Sequence, residues 1–179
     1  MNIITLGDKK FIKYIDRAEI DRATETIAAQ INEDYKNDLP VFLITLNGAI
    51  FFAADLLRRI HIDLMLTCIR LSSYKGTVST ENVKNIIGLE ENLKGKRVVI
   101  IEDIVDTGHT YEHIIHLLEN QEVKDIRIAT MTFKPDAYSK PYPVHYPALT
   151  IPPKFIVGRG LDYEGLGRNY SDIYQIVND

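Results

Sequence analysis

Val98-Val99-Ile100-Ile101-Glu102-Asp103-Ile104-Val105-Asp106-Thr107-Gly108-His109-Thr110 is the stretch that decides how this chain folds. Val98 to Ile101 is a continuous β-branched run, the character of a strand covered on both faces. It gives way to carboxylates, a glycine turn and hydroxyls, and the segment Thr110 to Asn120 behind the turn reads as a helix. The stretch is therefore a binding loop at the end of a buried strand. The amides of Thr107, Gly108, His109 and Thr110 would form a concave nest at a helix N-terminus, which suits a phosphate. Glu102, Asp103 and Asp106 suit hydroxyls, a proton or a hard cation. Phosphate and acid side by side point to a sugar phosphate held with Mg²⁺.

The same strand, turn and helix occur once before. Val41 to Leu46 is a short apolar strand, Asn47-Gly48 a turn, and Ala49 to Ile60 a helix rich in apolar residues. Two such units imply a parallel sheet. Ahead of them, Asp16 followed by Glu19 has the form of a capping box, and Ile20, Ala23, Ile27 and Ile31 recur at helical spacing, which predicts an amphipathic helix ending near Asn37. Leu64 to Leu71 and Ile126 to Phe133 supply further strands, with shorter ones at Phe155 to Val157 and Ile173 to Val177. Two stretches read as irregular. Ser72 to Lys84 is rich in Ser, Thr, Gly and Lys, the composition of an exposed, mobile loop. Lys134 to Pro153 carries six of the seven prolines, so an ordered but non-regular segment is expected there. Both exceed the usual connection length, which favours a functional role.

With 179 residues and 45% hydrophobic content, the chain suits one domain, residues 1–179, with a substantial core. The 21 basic and 25 acidic residues are mixed, without a basic stripe, so a nucleotide-sized ligand fits better than a nucleic acid. The single cysteine, Cys68, sits in an apolar run and reads as a buried thiol. No signal-peptide pattern opens the sequence and no apolar stretch is long enough for a membrane span, so a cytoplasmic location is expected.

Glu102 to Thr110 resembles the phosphoribosyl-diphosphate (PRPP) signature of the type I phosphoribosyltransferases, and the remaining motifs resemble the 6-oxopurine branch of that family. The likeness runs from about Leu39 to Asp179, with five motifs in the family's order. It implies an α/β fold with a central, mostly parallel sheet flanked by helices, a small hood region and a flexible lid loop. It also implies transfer of a phosphoribosyl group from PRPP to a purine such as hypoxanthine or guanine, with Mg²⁺. By this resemblance Glu102 and Asp103 bind the ribose hydroxyls directly or through Mg²⁺. Asp106 lies beside N7 of the base as general acid/base, and Thr107, Gly108, His109 and Thr110 hold the 5′-phosphate. Leu46-Asn47-Gly48-Ala49 is similar to the pyrophosphate loop, although many relatives carry a basic residue where this chain has Asn47. Ser73 and Tyr74 belong to the segment that resembles the lid, which would exclude water from an oxocarbenium-like transition state. Lys134 matches the lysine that donates to O6. Phe155 would stack on the purine, and backbone near Ile156 and Asp162 would read its other edge. Asp162 would also ligate a second Mg²⁺, and Arg168, whose planar fork can pair with two phosphate oxygens, would contact pyrophosphate. Members of the family usually assemble as dimers or tetramers, so a homo-oligomer is expected.

Two other readings compete. His109, Glu112 and His113 fit the H-x-x-E-H pattern of one class of zinc peptidases, although His109 opens its helix directly after the glycine turn and no downstream acidic helix offers a third ligand. A PRPP-sensing regulator without catalysis would keep the fold but should have lost a catalytic group or gained a DNA-binding element. Asp106, Lys134, Asp162 and Arg168 are all present here.

Overall fold

A computed structural model describes residues 2–73, 83–87, 89 and 91–177. Its centre is a sheet of β3 (Val41–Leu46), β4 (Met65–Ser73), β5 (Val83–Ile87), β6 (Arg97–Val105), β7 (Asp125–Phe133) and β8 (Tyr146–Thr150), in the order β5-β4-β3-β6-β7-β8. The neighbours from β4 to β8 pair in parallel, and β5 runs antiparallel to β4 at one edge. Along β3, alternate residues face opposite cores. Phe42 and Ile44 join Val99, Ile101, Ala129 and Met131 beneath two helices, while Val41 and Leu43 join Val98, Ile100 and Ile128 beneath a third. Burial on both faces is what a continuous β-branched run needs to form a central strand.

The first face is covered by α1 (Arg17–Asp34) and α2 (Ile50–Leu57), the second by α3 (His109–Glu119). Asp16 caps α1 by accepting from the Glu19 amide at 2.9 Å, and Ile20, Thr24, Ile27, Ala28 and Ile31 form its buried stripe. The helix ends at Asp34, three residues before the expected stop. After Leu57, α2 gives way to i→i−3 bonds from Arg59 and Ile60, so it is shorter than the expected span to Ile60.

A second, antiparallel sheet stands beside the first, in the order β1-β2-β10-β9, built from β1 (Ile3–Leu6), β2 (Lys9–Ile15), β9 (Ile156–Val157) and β10 (Ile173–Ile176). It is the expected hood. Its N-terminal hairpin was not anticipated, although Gly7-Asp8 between two apolar runs is a two-residue hairpin signal, and Gly7 takes a φ of 54° there.

Three further expectations are corrected. Strand character does not stop at Ile101: β6 continues through both acids to Val105, because β7 goes on pairing with it from Glu102↔Thr130 to Val105↔Phe133. The expected irregular stretch from Ser72 is strand as far as Ser73, which pairs with Val83; residues 74–82, including Tyr74, lie outside the described residues. The proline-rich stretch after Lys134 contains β8, which tolerates Pro147 because it is the edge strand of its sheet.

Candidate active site

The site begins where two neighbouring strands part. β3 pairs with β6 only as far as Ile44↔Ile101. From there the chain after β3 feeds α2 and then β4 on one side, while the chain after β6 feeds α3 and then β7 on the other. Opposite crossovers from adjacent parallel strands leave a crevice at their C-terminal ends, the usual ligand position in an open α/β sheet.

Glu102 and Asp103 line this crevice from inside β6 and are both nearly buried, at 6% and 9% exposure. The Asp103 amide donates to Oε1 of Glu102 at 3.1 Å, and the Ile104 amide donates to Oδ1 of Asp103 at 3.0 Å. Thr132 on β7 adds a hydroxyl bond to the Asp103 carbonyl at 3.0 Å. Burial, and then the adjacent Asp103 charge, push the Glu102 carboxyl well above its ordinary range. Burial raises Asp103 too, against the opposing pull of Glu102, the Ile104 amide and the Arg168 charge. Two carboxylates this dry disfavour full ionisation together.

Across the crevice lies the Leu46-Asn47-Gly48-Ala49 turn, with a cis peptide between Leu46 and Asn47. A Cβ on Gly48 would fall 1.7 Å from Oδ2 of Asp103, so only a glycine lets this turn meet the carboxylate. The Asn47 side chain faces outward and is exposed. A third backbone closes on the same point: a Cβ on Gly160 would stand 1.9 Å from the Gly48 carbonyl oxygen. Arg168 Nη1 donates to the Gly160 carbonyl at 2.5 Å, and its Nη2 pairs with Oδ1 of Asp162 at 2.5 Å. The other Asp162 oxygen accepts from the Gly165 amide at 2.7 Å.

Beyond β6 the chain forms the expected nest. Gly108 has a φ of 88° and caps α3, and Glu102 together with residues 104–111 lines a concavity of about 140 Å³. A Cβ at Gly108 would lie 2.4 Å from the Tyr138 ring and 2.8 Å from Cγ of Lys140, so conformation and crowding both demand glycine. Tyr138 and Lys140 were not anticipated; their only sequence signal was membership of the proline-rich stretch. Thr107, His109 and Thr110 are exposed on the rim of this nest.

Sheet register explains the next pair. Because Val105 lies opposite Phe133, the following residues, Asp106 and Lys134, emerge from adjacent strand tips. Lys134 Nζ pairs with Oδ2 of Asp106 at 2.6 Å. Lys134 is 6% exposed, far from the solvated charge that a lysine at a strand end usually is. On the hood, Phe155 is 46% exposed and packs against Tyr163 at nearly a right angle, with ring centroids 6.0 Å apart. Ile156 is buried and pairs with Gln175, while the Phe155 carbonyl accepts from the Ile176 amide. Ser73 closes β4.

The acids suit Mg²⁺ as it is usually bound in phosphate chemistry, through one or two carboxylates with substrate oxygens and water completing the shell. Glu102 and Asp103 are such a pair, and a cation would relieve the charge that burial disfavours. Zinc fares differently. Glu112 is paired with Lys140 at 2.7 Å, and among the described residues no three His, Cys, Asp or Glu side chains converge as a metal site.

Comparison with known proteins gives a consistent result. Residues 14–164 match the model of the phosphoribosyl transferase domain. The chain is 37% identical over 156 residues to a hypoxanthine-guanine phosphoribosyltransferase of Staphylococcus epidermidis, covering 87% of both. It is 33% identical over 166 residues to a hypoxanthine-guanine-xanthine phosphoribosyltransferase of Tritrichomonas foetus, covering 92% of this chain and 90% of that one. A crystal structure of a hypoxanthine phosphoribosyltransferase from Staphylococcus aureus superposes with a TM-score of 0.86 at 34% identity, covering 92% of this chain and 90% of the other.

Proposed function

The chain belongs to the phosphoribosyl transferase family, and we propose that it is a purine-salvage pentosyltransferase that moves the 5-phosphoribosyl group of PRPP onto N9 of hypoxanthine or guanine, releasing pyrophosphate with IMP or GMP. The observation that carries the 6-oxopurine assignment is the Asp106–Lys134 pair at 2.6 Å beside the concavity at the Gly108 turn. O6 and N7 lie next to each other on one edge of a 6-oxopurine. An ammonium and a carboxylate in contact can address both at once: Lys134 donates to O6 and Asp106 accepts from N7–H.

In this reading the nest of Thr107, Gly108, His109 and Thr110 holds the 5′-phosphate, and Phe155 lies on the base. Backbone near Ile156 and Asp162 meets the purine's other edge, and Ser73 and Tyr74 contribute to the PRPP side. Gly48 and Asn47 meet the pyrophosphate through their amides. As N9 forms its bond to C1′, the C1′–oxygen bond to pyrophosphate breaks and the N7 proton passes to Asp106. Holding both substrates in line supplies much of the acceleration. Glu102 and Asp103 would hold one Mg²⁺ and Asp162, freed of Arg168, a second; the ions would supply positive charge against the departing group. The reading treats residues 1–179 as one domain acting in a cytoplasmic homo-oligomer. No described helix is long and apolar enough to cross a membrane.

The test is nucleotide formation from PRPP with hypoxanthine, guanine, xanthine or adenine in separate assays, each with and without EDTA. Magnesium-dependent IMP or GMP supports the reading. PRPP binding without product from any base replaces it with a sensor, and absence of PRPP binding refutes it.

A further inference from the structure

Arg159 has no part in the roles above, yet it is the most completely enclosed cation of the hood, at 5% exposure. It stands between Gly158 (φ 103°) and Gly160 (φ 106°) and itself takes a φ of 51°, a backbone conformation that residues with a Cβ avoid. Its amide donates to the Tyr170 carbonyl at 2.8 Å, and side-chain bonds add to that hold. Nη2 donates to Oδ1 of Asp21 at 2.7 Å and to Oδ2 of Asp55 at 2.6 Å, and Nη1 donates to the Ser171 carbonyl at 3.2 Å. Asp21 belongs to α1 and is paired on its other side with Arg17; Asp55 belongs to α2. One guanidinium therefore ties the hood to two helices of the main sheet.

Its neighbours give that tie a consequence. α2 is entered straight from the Asn47-Gly48-Ala49 turn, so fixing Asp55 fixes the helix behind that turn. Gly160, the next residue after Arg159, rests on the Gly48 carbonyl, and its own carbonyl accepts from Arg168. A displacement at Arg159 passes through one peptide to the turn and to Arg168 together. We infer that Arg159 is a positioning residue that sets the distance between the Gly48 turn and the Arg168 arm, and so controls binding of the pyrophosphate half of PRPP without touching it. The inference rests on the reading of this crevice as a PRPP site.

The test compares Arg159→Met, Arg159→Lys and Asp55→Asn with wild type, using steady-state kinetics and amide hydrogen exchange. Lysine carries the charge but cannot bridge two carboxylates with a planar fork. Arg159→Met is expected to raise KM for PRPP, and for pyrophosphate in the reverse reaction, about tenfold or more, with KM for the purine within about twofold. Arg159→Lys should recover only part of this. Exchange at the Arg159 and Gly160 amides, which bond to Tyr170 and Arg168, should quicken at least about tenfold, with the α3 amides unchanged. Should Arg159→Met not fold, Asp55→Asn must still move KM for PRPP alone, by about threefold or more. Unchanged KM for PRPP, or an equal rise for the purine, overturns the inference. So does unaltered exchange at these amides. If wild type binds PRPP but makes no nucleotide, the enzymatic reading has failed; the positioning role then stands only if Arg159→Met weakens PRPP binding about tenfold alongside the exchange difference, and unchanged PRPP affinity overturns it.

Discussion

Replacing Gly48 with alanine adds one methyl group at the point where the turn meets Asp103, and its effect follows from geometry alone. The φ of Gly48 is one that alanine adopts, so the backbone imposes no strain. The new Cβ would stand 1.7 Å from Oδ2 and 2.5 Å from Cγ of Asp103, whereas real contacts of this kind stay beyond 3.0 Å. The carboxylate must therefore retreat by at least 3.0 − 1.7 = 1.3 Å. It cannot do so by bending β6, which is locked to β7 on either side of Asp103, at Glu102↔Thr130 and Ile104↔Thr132. The side chain must instead rotate, which displaces both oxygens and disturbs the bond that Oδ1 accepts from the Ile104 amide. A misplacement of about 1 Å at a reacting centre costs on the order of 10²-fold in rate. Gly48→Ala should thus lower kcat/KM for PRPP by about 10²-fold, equivalent to roughly 2.7 kcal/mol of transition-state stabilisation. Initial rates of IMP formation over a PRPP titration give the number. Gly95→Ala is the control: its Cβ meets nothing within 4 Å, but its φ of 72° strains the backbone, so it should lower Tm and leave kcat/KM unchanged. If Gly48→Ala loses stability as Gly95→Ala does while keeping full kcat/KM, the Asp103–Gly48 contact is packing and plays no part in holding PRPP.

Asp106→Asn should lower kcat by about 10²- to 10⁴-fold, the scale of general acid–base catalysis, with a much smaller change in KM for PRPP; equal losses in both would make Asp106 an anchor only. Lys134→Ala should abolish the preference for 6-oxo over 6-amino purines, measured as the ratio of kcat/KM for hypoxanthine and adenine, and an unchanged ratio would rule out the O6 contact. Glu102→Gln should abolish most activity yet raise Tm at pH 8 by roughly 2–4 °C, about 1 kcal/mol for a chain of this size. The sign follows from the raised Glu102 carboxyl: above its ordinary value of 4.5 the unfolded chain releases a proton that the native protein keeps, so stability falls as pH rises until the native pKa is passed. Calorimetry at pH 5 and pH 8 in EDTA checks this, and a variant less stable than wild type at pH 8 would show that the Glu102 charge is already compensated.

What the sequence made legible and what it hid divide along physical lines. Val98 to Ile101 and Val41 to Leu46 are apolar on both faces, and only a central strand of a covered sheet uses such runs, so the parallel sheet was readable from them. Local chemistry also carried the Asp16 cap and the Gly108 nest. The first hairpin escaped because Lys9-Lys10-Phe11-Ile12-Lys13-Tyr14-Ile15 alternates imperfectly: Ile12 and Tyr14 remain exposed while Phe11 and Ile15 turn inward. The strand character of Glu102 and Asp103 escaped for a different reason. Residue type argues against carboxylates inside a buried strand, and β7, which overrides that preference, is a tertiary partner. Gly160 and Arg159 were invisible for the same reason, since the contacts that define them lie on Gly48, Asp21 and Asp55.

The arrangement also shows why two of the site's acids sit inside a strand while the third does not. Glu102 and Asp103 border the crevice, and β6 holds them rigidly because their ladder to β7 continues past them. They cannot relax outward to water, so burial drives these carboxyls toward protonation, and a cation bound there would remove that penalty. Asp106 stands one residue beyond the ladder, half exposed, with Lys134 at the tip of the neighbouring strand as its partner. Neighbouring strands run about 4.8 Å apart, a spacing from which two short reaches meet on one edge of a purine ring. The register Val105↔Phe133 sets that pairing: a slip of one residue would turn the two side chains to opposite faces of the sheet. In the proposed reading, recognition of the 6-oxopurine edge is a property of strand register, fixed by the core residues of β6 and β7 before any residue of the loops is placed.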